Sequence, residues 1–268
     1  MTASELFQAG KLSEAIQAAT AEIKAAPAAT DRRTLLFELL CFAGNLDRAE
    51  KQLAFIAQQD ARSEWAVQVY QNILAAERSR RRLFSDGLRP GFLLDPPPYI
   101  QFHLDAVNRL REGRGTEAAE LLNRSEQIRP VIAGHVDGQT VDEFRDCDDL
   151  FASILELIIL RDYIWLPLEQ IRELAIAPPE RPRDLIWVPV RLLLTDGAQR
   201  RGYLPALYFG SHDQDDEQLK LGRSTDWHGT GTGPVRGVGQ RVFLAGENAR
   251  SLLEIRQAVL EVRPAESP

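Results

Sequence analysis

The chain has 268 residues, 44% apolar and 26% charged, enough for a sizeable soluble core and for roughly two domains. With 32 Lys plus Arg against 39 Asp plus Glu, its formal charge is −7, which argues against a general nucleic-acid binder. Its two cysteines, Cys41 and Cys147, exclude a disulfide scaffold and a Cys-rich metal ribbon, and both are expected as reduced thiols.

The N-terminus, Met1-Thr2-Ala3-Ser4-Glu5, shows no signal-peptide pattern. The most apolar window, Phe151 to Leu168, is interrupted by Glu156, Arg161 and Asp162, so no transmembrane span is expected. A cytoplasmic protein without membrane insertion follows as the expectation.

The strongest pattern is a repeat. Gly10-Lys11-Leu12-Ser13-Glu14-Ala15 is echoed by Gly44-Asn45-Leu46-Asp47-Arg48-Ala49, and the two glycines lie 34 residues apart, the tetratricopeptide period. A third copy, Gly113-Arg114-Gly115-Thr116-Glu117-Ala118, begins 69 residues beyond Gly44. Glycine permits the positive φ of a tight turn between two helices. Ser13 and Asp47 suit the start of the next helix, and the small alanine lets the pair approach closely. Pro27 and Pro130 each follow the repeat glycine by 17 residues and end the second helix, whereas the second copy has Ala61 there. Helical stripes support the pairs: Leu12, Ala15, Ile16, Ala19 and Ile23; Leu46, Ala49, Leu53 and Ile56; Ala66, Tyr70, Ile73 and Glu77; and Leu104, Val107 and Leu110 with Ala118, Leu121 and Leu122.

The run Arg78-Ser79-Arg80-Arg81-Arg82 reads as the end of a long helix, and Asp86 to Pro98 as a stiff Gly/Pro connector. Beyond Pro130 the period changes. Ser153 to Leu160 and Tyr163 to Leu166 read as strands of one hairpin, and Pro167 to Leu174 as a short helix opened by proline. Leu185 to Leu194 and Gly202 to Phe209 read as a second hairpin turning at Asp196-Gly197. A Gly-rich loop is expected from Gly210 to Gly239, then a strand at Arg241 to Leu244. Ser251 to Val262 is strand or helix. The expected fold class is therefore a two-domain α and β chain. A tetratricopeptide-like α-superhelix over 1–130 packs on a small, mainly antiparallel α+β domain over 131–268.

Five segments together resemble the ImpE family, also called TagJ or SciE-type virulence proteins, accessories of bacterial type VI secretion. They are Arg145-Asp146-Cys147-Asp148-Asp149, Tyr163-Ile164-Trp165-Leu166-Pro167, Arg183-Asp184-Leu185-Ile186-Trp187-Val188-Pro189, Leu219-Lys220-Leu221-Gly222-Arg223-Ser224-Thr225-Asp226-Trp227 and Gly237-Val238-Gly239-Gln240-Arg241. The resemblance implies a two-domain cytoplasmic protein without known catalysis. It also implies an adaptor that joins a helix of the small sheath subunit TssB to the sheath-recycling ATPase ClpV.

No catalytic set, cofactor or metal is expected. Gly229-Thr230-Gly231-Thr232-Gly233 lacks the Lys and the following helix of a phosphate loop. His212, Asp213, Asp215, Asp216, Glu217 and His228 lack metal-ligand spacing and read as a solvated acidic loop. Candidate protein-interaction residues are Arg78, Arg80, Arg81 and Arg82 at the helix end, His103 on a helix surface, and Arg223 and Trp227 in the polar loop. Trp165 and Trp187 alternate with aliphatic residues and belong in the core. Two alternatives remain open: a ligand-binding or hydrolytic centre near Asp146, Asp148, Asp149 and Arg223, and a chaperone for an unassembled subunit.

Overall fold

The computed structural model describes residues 1–59, 63–229 and 231–263. Among these residues seven α-helices come first: α1 (Ala3–Gln8), α2 (Leu12–Ala25), α3 (Thr30–Phe42), α4 (Leu46–Gln59), α5 (Glu64–Asp86), α6 (Ile100–Arg111) and α7 (Gly115–Ile128). Among the described residues no helix is long and apolar enough to cross a membrane.

The sequence repeat corresponds to one repeated piece of backbone chemistry. Gly10, Gly44 and Gly113 hold φ of +79°, +71° and +73°. In each copy the glycine N–H donates three residues back, to Phe7, Cys41 or Leu110. The next N–H donates five residues back, to Leu6 (3.0 Å), Leu40 (2.9 Å) or Arg109 (2.8 Å). This closure satisfies carbonyls that a helix end leaves open, and it folds α1 on α2, α3 on α4 and α6 on α7. Ala15, Ala49 and Ala118 are each fully buried where the paired helices meet. Pro27 and Pro130 stand two residues beyond the ends of α2 and α7, as the bar on helical backbone before proline requires. Ala61, their counterpart, lies outside the described residues.

The three turns differ in what covers them. A Cβ at Gly113 would meet nothing, whereas one at Gly44 would overlap the His212 ring. Gly113→Ala is therefore expected to cost only the left-handed backbone penalty, about 1–2 kcal/mol. Gly44→Ala adds an overpacking cost of about 1 kcal/mol or more. Urea unfolding of both variants checks the order, and equal losses would refute it.

α5 runs four residues past Arg82 and closes on Gly87, at φ +74°. The connector that follows is non-helical. Gly91 donates to the carbonyl of Tyr163 (2.9 Å) and accepts from Trp165 (3.0 Å), so the connector shields the end strand of the sheet.

The second half carries β1 (Ile132–Val136), β2 (Gln139–Val141), β3 (Phe144–Asp146), β4 (Ile154–Ile159), β5 (Asp162–Pro167), β6 (Ile171–Ile176), β7 (Trp187–Leu194) and β8 (Gln199–Pro205). The short helix α8 (Glu217–Lys220) follows. Then come β9 (Thr225–His228), β10 (Arg236–Gly239), β11 (Val242–Ala245), β12 (Asn248–Ser251) and β13 (Gln257–Val262). Eight strands form one antiparallel sheet in the order β2-β1-β13-β6-β7-β8-β4-β5, flanked by the ribbons β10-β9 and β12-β11-β3.

Strand alternation divides two cores. On β4 and β5, Ile154, Ile158, Tyr163 and Trp165 point toward the helices and join their core. Leu155, Leu157, Ile164 and Leu166 point the other way, into a core closed by β1, β6, β7 and β13. Both faces of β4 are thus buried, which is why it reads as a continuous apolar run. Trp165 and Trp187 are 0% and 2% exposed.

Several expected elements are corrected. Pro167 to Leu174 is a single 3-10 turn followed by strand β6. A register shift between Ile171 and Glu173 sets buried Ile171 and Leu174 three residues apart, which imitates helical spacing. The loop expected from Gly210 to Gly239 contains α8 and the β9–β10 hairpin, and Ser251 to Val262 resolves into a turn and β13. Strands β1 to β3 add to the expected elements; β2 and β3 have three residues each, too few for a period to register.

Candidate functional site

The most polar part of the interior is a seam of charge between the two halves. Arg80 of α5 forks onto Glu156 of β4 (Nε 2.7 Å, Nη2 3.0 Å) and donates to the carbonyl of Leu207 (3.0 Å). Arg241 also donates to Glu156, sharing its Oε2 with Arg80, and donates to Asp146 (2.6 Å). The Tyr163 hydroxyl donates to Glu156 (2.5 Å) and the Tyr208 hydroxyl to Asp146 (2.7 Å). Asp148 accepts from Arg236 Nε (2.9 Å), Gly237 N (2.9 Å) and Leu150 N (2.9 Å). Burial alone would raise the Glu156 carboxyl, but Arg80 and Arg241 outweigh it and hold the group at about 2. Burial, with Asp148 nearby, lifts Asp146 to about 6 against the pull of Arg241. Burial and Asp146 push the Cys147 thiol up to about 11, away from thiolate chemistry.

This seam occupies the Asp146 to Asp149 region in which a hydrolytic centre was left open. Asp146 and Asp148 are 0% exposed, with their oxygens committed to partners inside the molecule. Asp149 accepts from Val235 N (2.7 Å). Arg223 is not brought to them. It donates instead to the carbonyls of Phe7 (2.6 Å) and Gln8 (3.0 Å) at the end of α1. There its cation meets the negative end of a helix.

The other sequence candidates scatter. Arg78 ties α5 to Asp47 (3.0 Å) and Glu50 (2.8 Å) of α4. Arg80 is 4% exposed and spent on Glu156, a correction to its reading as an interaction residue. Arg81 donates to the Gly44 carbonyl (2.8 Å), and only Arg82, paired with Asp86 (2.9 Å), stands mostly in solvent. Successive helical positions point 100° apart, so an arginine run on a continuing helix fans out and forms no single patch. His103, expected on a helix surface, is 2% exposed and bonded to Leu150 O (2.7 Å) and Ser125 Oγ (2.7 Å). Trp227 lies on β9, 39% exposed, edge-on to Tyr208.

The acidic loop also has structural work. Lys11, which precedes α2, makes no side-chain cap. Glu217 supplies it from across the molecule, accepting from Leu12 N (2.8 Å), Ser13 N (2.7 Å) and the Ser13 hydroxyl (2.5 Å). Asp216 caps α8 through Gln218 N (2.8 Å).

An open feature of the surface lies elsewhere, a groove of about 970 Å³ between the N-terminal half of α5 and the outer face of β6, β7 and β8. Val69, Pro189 and Tyr203 contribute to its apolar lining, and Arg191, Arg201 and Arg256 reach it from three strands or their ends. Among the described residues no Asp, Glu, His, Ser or Cys lines it, so they offer no acid–base or nucleophile pair. Trp65 is 80% exposed at one wall and Leu160 is 73% exposed at another, with φ +54° on Leu160. Sequence reasoning missed this groove. The available signal was Trp65, a large apolar residue immediately before the stripe Ala66, Tyr70 and Ile73 and off its face.

A profile described as ImpE protein matches residues 138–259. The type VI secretion system accessory component TagJ of Pseudomonas aeruginosa is 31% identical over 261 residues, covering 97% of this chain and 92% of that protein. A crystal structure of a Vibrio parahaemolyticus protein superposes with a TM-score of 0.89 at 22% identity, covering 98% of each chain, and so has the same fold. The match along almost the whole length to that Pseudomonas aeruginosa protein, with the profile match across the second half, places the chain in a family: it belongs to the ImpE family.

Proposed function

We propose that this protein is a non-enzymatic, protein-binding accessory of a bacterial type VI secretion system, an adaptor that holds a helix of the sheath subunit TssB and links it to the ATPase ClpV. The name of the Pseudomonas aeruginosa relative supports the secretion role. The observation that carries the binding role is the groove beside α5: wide, mainly apolar, rimmed by arginines and, among the described residues, without a reactive pair. The three glycine-closed helix pairs support reading residues 1–130 as a tetratricopeptide-like unit beside an ImpE-type α+β domain over 131–268. Two partners need two surfaces, and the exposed faces of the helix pairs offer the second. On this reading the protein works in the cytoplasm, where both partners would meet it.

The test is co-purification of the full chain with TssB and ClpV from the native host. Recovery of both, with ClpV lost when TssB is absent, is the expected result. Recovery of TssB alone, one-to-one, would replace the adaptor by a chaperone of the unassembled subunit. Recovery of neither, or turnover of a metabolite, would end this reading.

A further inference from the structure

We infer that the walls and the arginine-bearing mouth of the groove beside α5 form a docking face for an anionic phospholipid surface. Arg191 and Arg201 clamp one lipid phosphate, and Trp65 and Leu160 enter the headgroup layer. This goes beyond the adaptor reading, requires neither of its partners and needs no membrane-spanning segment.

The charge comes from arginines that the chain leaves unpaired. Arg191 and Arg201 are register partners on β7 and β8, which sets their Cα atoms about 5 Å apart. Like charges so placed repel. Arg256 reaches the same mouth, and its guanidinium bonds only backbone carbonyls, those of Ile255 (2.8 Å) and Leu253 (2.6 Å). Arg161 directly follows Leu160 at the β4–β5 turn. Among the described residues none of the four meets a carboxylate and no Asp or Glu lines the groove, although the whole chain carries −7. Clusters of about four to eight cations are the size that holds an acidic leaflet. A phosphodiester relieves the repelling pair, because two guanidinium forks can share its oxygens.

The exposed apolar side chains decide between ligands that offer the same charge. Trp65, in the first turn of α5, is 80% exposed at one wall, and Leu160, at the tip of the β4–β5 turn, is 73% exposed at another. Leu160 stands there at φ +54°, a conformation that a branched side chain disfavours. A free phosphate would settle at the arginine pair and leave both side chains in water. Nucleic acid offers phosphates but no apolar layer to receive them. An acidic polypeptide has a backbone to satisfy, and β6 and β7, each with a neighbour on both sides, have no free edge to give it. A bilayer surface has no such need. It presents phosphates to the guanidiniums and an interface that takes up indole and leucine side chains.

A plane resting on both walls closes the mouth of the groove. The chain on such a surface cannot also hold a polypeptide there, so the two states exclude one another. The adaptor reading then describes the chain off the membrane.

The probes are vesicles of phosphatidylglycerol and phosphatidylethanolamine in equal parts, with phosphatidylcholine vesicles as the control, each mixed with the purified full chain. Flotation is expected to carry the chain with the anionic vesicles, less as salt rises, and to leave it behind with phosphatidylcholine. The tryptophan emission should shift to the blue on the anionic vesicles, and shift less in Trp65→Phe. Arg191→Glu turns the repelling pair into an ion pair, so it should melt no lower than the parent while binding the vesicles about tenfold or more weakly. Leu160→Gly keeps the left-handed turn without its penalty, so it too should melt no lower while binding more weakly. Equal binding to both kinds of vesicle, no binding to the anionic ones, or unaltered affinity in Arg191→Glu would each overturn the assignment. So would saturable binding of inorganic phosphate without vesicle binding, or a soluble poly-glutamate held as tightly as the vesicles. None of these outcomes involves TssB or ClpV. A chain that floats with anionic vesicles but captures neither protein loses the adaptor reading and keeps this one, and the converse result does the opposite.

Discussion

Glu156→Gln is expected to lower the free energy of unfolding by about 3–5 kcal/mol, the cost of breaking a buried ionic cluster from one side. In a chain of this length that is a fall in melting temperature on the order of 10 °C. Glu156 is 1% exposed and lies between the guanidiniums of Arg80 and Arg241, which are 4% and 1% exposed. Gln keeps the shape but removes the charge that lets the two cations stay close in a poor solvent for charge. The effect spans the molecule, because Arg80 comes from α5 and Glu156 from β4, 76 residues apart. Arg80→Met with Glu156→Leu should lose less than the sum of the single losses, since Arg241 keeps Asp146 and the buried Glu77, which loses Arg80, keeps Arg81 at 3.8 Å. Urea unfolding at pH 7 measures all of these. A Glu156→Gln variant within about 1 kcal/mol of the parent would mean the seam contributes little. The Glu156 carboxyl, held at about 2 against an ordinary 4.5, gives stability that is complete above 4.5 and lost only as the pH falls toward 2.

A separate acid transition is expected higher up, from His103. Burial holds its imidazole down at about 4, against an ordinary 6.5. Nδ1–H donates to the Leu150 carbonyl, which leaves Nε2 to accept from the Ser125 hydroxyl. A second proton would displace that bond in a site closed to water. The unfolded chain takes up the proton below pH 6.5 while the folded chain refuses it down to pH 4. The contribution of His103 is therefore full above pH 6.5 and is lost as the pH falls to 4, by on the order of 3 kcal/mol. Asp146 and Glu38, lifted by burial to about 6 and about 7, favour the fold as the pH falls through the same window, so the measure is a difference: the unfolding free energy of the parent should fall relative to that of His103→Gln between pH 6.5 and 4. An identical slope in the two would show that His103 is not the group responsible.

Both results turn on a residue that the sequence presents as an interaction candidate, Arg80 in the first and His103 in the second. A lone histidine on α6 and an arginine within a run of arginines carry no mark of burial. The partners that bury and fix them are supplied from 22 to 76 positions away. Arg223 and Glu217 show the same difficulty from the other direction. They sit in a loop rich in Gly and Asp, but their partners are the helix ends of α1 and α2, more than 200 residues earlier. A helix end that lacks its own cap can be recognised in a sequence, since Lys11 is a poor one, but its remote replacement cannot.

Local chemistry was legible wherever one short stretch does the whole job. The repeat glycines are the clearest case, because a positive φ between two helices is required by the turn itself and is satisfied within six residues. The β4–β5 and β7–β8 hairpins were legible for the same reason. Strand β6 was not, because its bulge borrows the spacing of a helix, and the strands of three or four residues were too short to show any spacing. The segments that carry the family likeness were visible in order, but not why they belong together. Asp146 and Arg241 meet over 95 residues, and Asp148 meets Arg236 over 88.

By itself, then, the chain's order of residues determined the helix pairs, the two long hairpins and the family, all of which depend on short-range backbone preference and on recognisable words of sequence. Only the tertiary structure decided which charges are buried, which helix ends are capped from afar and which apolar side chains are left uncovered. Burial and unpaired charge are properties of surfaces brought together from distant positions: Trp65, Leu160, Arg191, Arg201 and Arg256 become one groove when α5 lies across the sheet and stops short of covering it.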